Sequence, residues 1–175
     1  NITVNNCILT SSSTPMMIGT ETHADIRHVL FSNIIVRRSN KVFGINVQDG
    51  ATVSDVRFVN VTFDTNRRHW NWWGSAEVMK FVLKKRTPES RLGRIRDITL
   101  EGVQGTARGT SLVAGHAERK LENITIANLR VRNYTPIETN TPLPARSTVI
   151  VDLSPTPIPF TLTPRLTPTP MPANP

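Results

Sequence analysis

His28-Val29-Leu30-Phe31-Ser32-Asn33-Ile34-Ile35-Val36 returns one period later as Asp55-Val56-Arg57-Phe58-Val59-Asn60-Val61-Thr62-Phe63, and that match decides the fold. The same register fits three more stretches, starting at Asn1, Asp97 and Asn123. One place into each repeat stands a β-branched aliphatic: Ile2, Val29, Val56, Ile98, Ile124. Three places in are Val4, Phe31, Phe58, Leu100 and Ile126; five places in are Asn6, Asn33, Asn60, Gly102 and Asn128. Apolar columns resume at six (Cys7, Ile34, Val61, Val103, Leu129) and at eight (Leu9, Val36, Phe63, Gly105, Val131). The start positions 1, 28, 55, 97 and 123 differ by 27, 27, 42 and 26 residues. Self-similarity at such a period marks a stacked repeat architecture.

Each column has a physical meaning. Alternate residues of a strand share a face, so places one and three point inward together. Asn and Gly tolerate left-handed backbone, so the chain bends at place five before places six and eight turn inward again. A third strand is expected about sixteen places in, and further along in the 42-residue repeat: Met16-Met17-Ile18-Gly19, Gly44-Ile45-Asn46-Val47, Met79-Lys80-Phe81-Val82 and Ser111-Leu112-Val113-Ala114. Apolar residues at one, three, six and eight form no stripe at helical period, so few or no helices are expected. The pattern describes an all-β, right-handed parallel β-helix (solenoid) of about five coils, rungs about 4.8 Å apart, with like asparagines bonding rung to rung. The 42-residue interval carries a surplus, read as one loop around Asn66 to Gly74, which holds all three tryptophans.

Composition divides the chain into residues 1–134, the coils, and 135–175, a Pro/Thr-rich extended tail. Proline gives a sheet ladder no amide donor and favours extended geometry, so the tail reads as a linker or stalk. A docking strand is expected near 147–152. Asn1 is the first column of a repeat with no cap before it, so the chain is expected to be the later part of a longer solenoid. No run of about twenty apolar residues occurs, so no membrane span is expected. Cys7 falls in an inward column and is read as a core residue; no zinc spacing exists, and no metal or cofactor is expected. The net charge of +8 favours a polyanion. Its basic residues lie over turns without a reading helix or stacked aromatics, which disfavours nucleic acid. Lys84-Lys85-Arg86 is read as a solvated turn, His116 as a surface turn residue, and His23, His28 and His69 as lacking a nearby partner carboxylate spaced for general acid–base work. Asn-x-Thr triplets begin at Asn1, Asn60, Asn123 and Asn133, three of them on repeat columns that already explain the asparagine.

The run Ile18-Gly19-Thr20-Glu21, Asp25-Ile26-Arg27, Ser32-Asn33-Ile34 and Gly44-Ile45-Asn46-Val47 resembles the later coils of glycoside hydrolase family 28, the polygalacturonase-like, pectin lyase-like β-helices. Trp72-Trp73-Gly74-Ser75-Ala76-Glu77 and Gly93 to Ile98 resemble blocks that follow in bacterial members, so the likeness runs from Asn1 to about Val131. The resemblance implies inverting hydrolysis of pectin-type or related polysaccharide by two carboxyl groups spaced to admit a water. It places the paired aspartates on coils ahead of Asn1, so no catalytic residue is expected in this chain. Thr14 stands where the family has an assisting histidine, and Asn46-Val47-Gln48 where it has a carboxylate-gripping Arg-Ile-Lys. A secreted or cell-surface location, and a monomer when full length, follow from the same likeness and the tail.

The candidate substrate-binding residues are Glu21, Asn46, Gln48, Trp72, Trp73 and Glu77. Trp72 and Trp73 suit a sugar-stacking platform, or equally a loop pinned by indoles. Glu77 is either a hydroxyl acceptor or a loop organiser. Glu21 lines a cleft or sits in a solvated turn. Asn46 and Gln48 share one side of a strand and are cleft amides if that side faces outward. The alternative to an enzyme is a non-catalytic β-helix that binds carbohydrate or acts as an adhesin.

Overall fold

The computed structural model describes residues 1–66 and 74–133, together with the backbone of 150–151. Its strands are β1 (Ile2–Asn5), β2 (Ile8–Leu9), β3 (Met16–Ile18), β4 (Ile26–Ser39), β5 (Phe43–Val47), β6 (Thr52–Thr65), β7 (Met79–Leu83), β8 (Arg94–Ala107), β9 (Leu112–Ala114), β10 (Glu122–Ala127), β11 (Arg130–Asn133) and β12 (Ile150–Val151). No helix occurs among the described residues. The strands form two parallel sheets. One runs β1-β4-β6-β8-β10, with β2 on β4 and β11 on β8; the other runs β12-β9-β7-β5-β3. The chain visits the two sheets in turn, so each repeat lays its strands beside those of the repeat before.

The pairing register is the column register read from the sequence. Val29 pairs Val56 and Val56 pairs Ile98; Phe31 pairs Phe58 and Phe58 pairs Leu100. The inward columns of the middle repeats are sealed: Val29, Val56, Ile98, Phe58, Leu100, Ile34, Val61 and Val103 all fall at or below 2% exposure. The end repeats are more open, with Ile2 and Ile8 both over half exposed. A further inward column lies two places before each register start, where Ile26, Val53 and Ile95 stack. Phe58 is the centre of the core, its ring 5.2 Å from Phe31, 4.6 Å from Phe43 and 6.4 Å from Phe81. At place eight, Gly105 lies against Phe63, and a β-carbon there would sit 1.9 Å from the Phe63 carbonyl oxygen. The glycine in that column is therefore the space taken by the phenylalanine beside it.

The bend at place five is present: Asn6, Asn33, Asn60, Gly102 and Asn128 all have φ between 53° and 63°. Asn33 Nδ2 donates to Asn6 Oδ1 at 3.2 Å, and Asn60 Nδ2 to Asn33 Oδ1 at 2.7 Å. A second bend was not read from the sequence. His28, Asp55, Asp97 and Asn123, the register starts themselves, hold φ between 49° and 58°. Each repeat after the first thus turns twice, five residues apart.

Two further readings are corrected. The surplus of the 42-residue interval is shared by two loops: β4 passes to β5 through 40–42 but β6 to β7 through 66–78, and β5 passes to β6 through 48–51 but β7 to β8 through 84–93. His28 does have a carboxylate partner: its Nδ1 lies 2.7 Å from Asp55 Oδ2. The two are one period apart and occupy the same column, so the register itself brings them together. In the segment expected to carry a docking strand, Ile150 and Val151 pair in parallel with Leu112 and Val113 of β9. No helix among the described residues is long and apolar enough to cross a membrane.

Candidate functional site

The second sheet turns Met16, Ile18, Phe43, Ile45, Met79 and Phe81 to the core, which leaves the alternate residues of β3, β5 and β7 facing outward. Those outward residues floor a cleft of about 420 Å³. Gly44 lies beside Lys80 and Asn46 beside Val82 in the β5–β7 register. Gln48 and Lys84 continue the two rows past the strand ends, and Ser13, Thr14, Met17, Thr20, Lys41 and Arg86 complete the walls. Asn46 and Gln48 therefore meet in one cleft. Thr14 lines the same space. The Asn46 Oδ1 is buried without a protein hydrogen-bond partner among the described residues.

The described lining contains four basic side chains and no carboxylate. Arg86 is committed to the rim. Its Nε donates to Asp49 Oδ1 at 2.6 Å, and its Nη2 to Asp49 Oδ2 at 2.9 Å and to the Thr20 carbonyl at 3.2 Å. Asp49 in turn accepts from the Thr22 amide at 3.0 Å, while the Thr22 hydroxyl accepts from the amides of Gln48 and Asp49. The Arg86 bond, followed by the Thr22 amide, holds the Asp49 carboxyl well below the usual carboxylate range. Residues of three successive repeats are locked together at this end of the cleft.

Lys41 is only 7% exposed, and its ammonium is disfavoured. Burial is the main cause; the Lys80 charge adds to it, and the Glu77 charge opposes it. Lys80 and Lys84 are left as the cations able to meet a ligand. They stand in the β7 row and its continuation, beside the row of Gly44, Asn46 and Gln48, so the cleft's available positive charge comes from that side.

The remaining expected residues are placed differently. Glu21 sits at the rim, accepting from the Thr20 hydroxyl at 3.0 Å and lying 3.4 Å from Arg86 Nη2, with its side chain largely exposed. Glu77 is 5% exposed and accepts from the Ser75 amide. It faces an adjacent cavity shared with Ser75, Gly109 and Thr110, and Lys80 lines both spaces. That bond ties its carboxylate to the turn at Ser75. Trp72 and Trp73 lie outside the described residues.

Lys80 and Lys84 were missed as candidates, and Lys84-Lys85-Arg86 is no simple solvated turn, since Lys84 and Arg86 both enter the cleft. The signal was available: 80, 82 and 84 alternate in phase with 44, 46 and 48. Neither a family model, nor a curated protein, nor a solved structure matches this chain.

Proposed function

We propose that the repeats are coils of a right-handed parallel β-helix, and that the chain is the distal, glycan-binding part of a glycoside hydrolase family 28-like enzyme. Its substrate is a pectin-type polysaccharide bearing carboxylates. The observation that carries this reading is the cleft lining: Lys80 and Lys84 from the β7 row share the outward face with Asn46 and Gln48 from the β5 row. Lysines read the uronate carboxylates through charge-assisted bonds, while Asn46, Gln48 and Thr14 read hydroxyls. Bond cleavage is assigned to an aspartate pair on coils outside this sequence. A cleft lined by cations and amides favours a second reading as well, retention of an acidic glycan without its cleavage.

Titration calorimetry with oligogalacturonate and with a neutral galactan of equal length tests the proposal. Binding of the acidic oligomer only, weakened roughly five- to tenfold by Lys80→Ala or Lys84→Ala, is the expected result. Equal affinity for the neutral glycan would overturn it. Release of reducing ends by the protein carrying the preceding coils separates the enzymatic reading from the retention reading.

A further inference from the structure

The loop between β7 and β8, the second place where the long repeat gains residues, builds a cavity of about 520 Å³ separate from the cleft. Lys85, Arg91, Arg94 and Arg119 line it, with Glu118 as the one acid among the described lining residues. Glu118 is answered by Lys85 Nζ at 2.9 Å, and that bond holds its carboxyl below the usual range. Arg119 is fixed from behind, its Nη1 donating to the carbonyls of Leu92 and Gly93 at 3.0 and 2.9 Å. The loop is clamped onto the turn before β6. A β-carbon on Gly93 would lie 2.2 Å from the Ala51 carbonyl oxygen, and one on Gly50 (φ +89°) 2.7 Å from Arg91 Cβ. Arg91 and Arg94 thus project from a backbone held by close contact, and neither forms an ion pair among the described residues. Two unneutralised guanidiniums on a rigid rim present the planar forks that grip a carboxylate.

The two basic spaces adjoin through one tripeptide. Lys84 and Arg86 line the cleft, and Lys85 between them lines the cavity. We propose that the cavity is a second carboxylate-binding site that takes a further stretch of the same acidic polysaccharide, so that a long chain crosses the 84–86 segment and is held at both sites. The proposal rests on the acidic-glycan reading of the cleft. Two linked weak sites raise affinity through effective concentration, so long chains gain from the cavity and short ones do not.

The test is Arg91→Ala/Arg94→Ala in the full chain, titrated with short oligogalacturonates, with long polygalacturonate and with single-stranded DNA over a range of salt. Both side chains are exposed, and the Arg94 amide still donates to the Ala51 carbonyl in the variant. Affinity for the long polymer should fall about tenfold and its salt dependence should flatten, with short oligomers unaffected. Unchanged polymer affinity would overturn the second site. Polymer binding that survives Lys80→Ala/Lys84→Ala but is lost in the Arg91/Arg94 variant would sink the cleft reading and leave the cavity standing. Tighter, Arg-dependent binding of the DNA would overturn the glycan assignment.

Discussion

Gly102→Asn should stabilise the protein. Gly102 holds φ +63° in a column where Asn6, Asn33, Asn60 and Asn128 hold 53° to 54°. The backbone is therefore already the one asparagine adopts there. A β-carbon at this position meets nothing closer than the Asn60 amide nitrogen at 3.7 Å, which is ordinary contact. The amide ladder runs from each repeat to the one before it, Asn60 to Asn33 to Asn6, and stops at the glycine. An asparagine at 102 can donate to Asn60 and accept from Asn128. A net hydrogen bond contributes about 0.5–1.5 kcal/mol, and an exposed column belongs at the low end, so two bonds give about 1 kcal/mol. Removing glycine's freedom from the unfolded chain adds about 0.4–1 kcal/mol, much of it offset by the left-handed backbone cost. The net gain is about 1 kcal/mol, or a Tm rise of about 3–5 °C. Gly102→Asp can only accept and should gain less. Gly102→Ala takes the backbone cost with no bond and should be neutral or destabilising. Urea unfolding followed by far-ultraviolet circular dichroism ranks the three. A Gly102→Asn protein no more stable than Gly102→Ala would refute the ladder as a source of stability.

Phe58→Ala empties the centre of a four-ring cluster and should cost about 3–5 kcal/mol, read as a lower urea midpoint at constant m-value; a loss under about 1 kcal/mol would show that the rings do not organise the core. Asp49 binds fewer protons folded than unfolded, so stability should fall as pH drops below about 4. Asp49→Asn should flatten that limb in thermal melts taken between about pH 5 and pH 2, and an unchanged slope would contradict the Arg86 clamp. Lys41 likewise binds fewer protons folded than unfolded once pH exceeds its lowered value. Stability should therefore climb with pH toward the ordinary lysine value of about 10.4, and Lys41→Met should remove the climb; persistence of the climb in the variant would place its origin elsewhere.

The columns that built the core were legible because burial acts on side-chain type directly: Val29, Val56 and Ile98 announce one inward row. The cleft amides Asn46 and Gln48 were legible for a related reason, being the polar phase of a strand whose other phase is apolar. The bend at place five was visible because asparagine repeats there. Its twin at the register start was not, since His28, Asp55, Asp97 and Asn123 vary in type, although all belong to residues enriched at positive φ. The His28–Asp55 contact is invisible at local spacing, because the two residues stand one full period apart. Lys84 escaped because a basic run ordinarily marks a solvated turn, and Lys80 because it is a single charge in an apolar strand; their phase with Gly44 and Gln48 is what places both in the cleft.

The paired left-handed bends give the architecture a ruler. Between His28 and Asn33, Asp55 and Asn60, Asp97 and Gly102, and Asn123 and Asn128, the spacing never changes, while all variation in period falls in the segments outside those arms. An insertion inside an arm would throw the side chains that follow it in that strand onto the wrong face. One between Thr65 and Met79, or between Leu83 and Arg94, leaves the gauge untouched. Those two segments are where new recognition surfaces can be grafted onto this scaffold without renegotiating its interior.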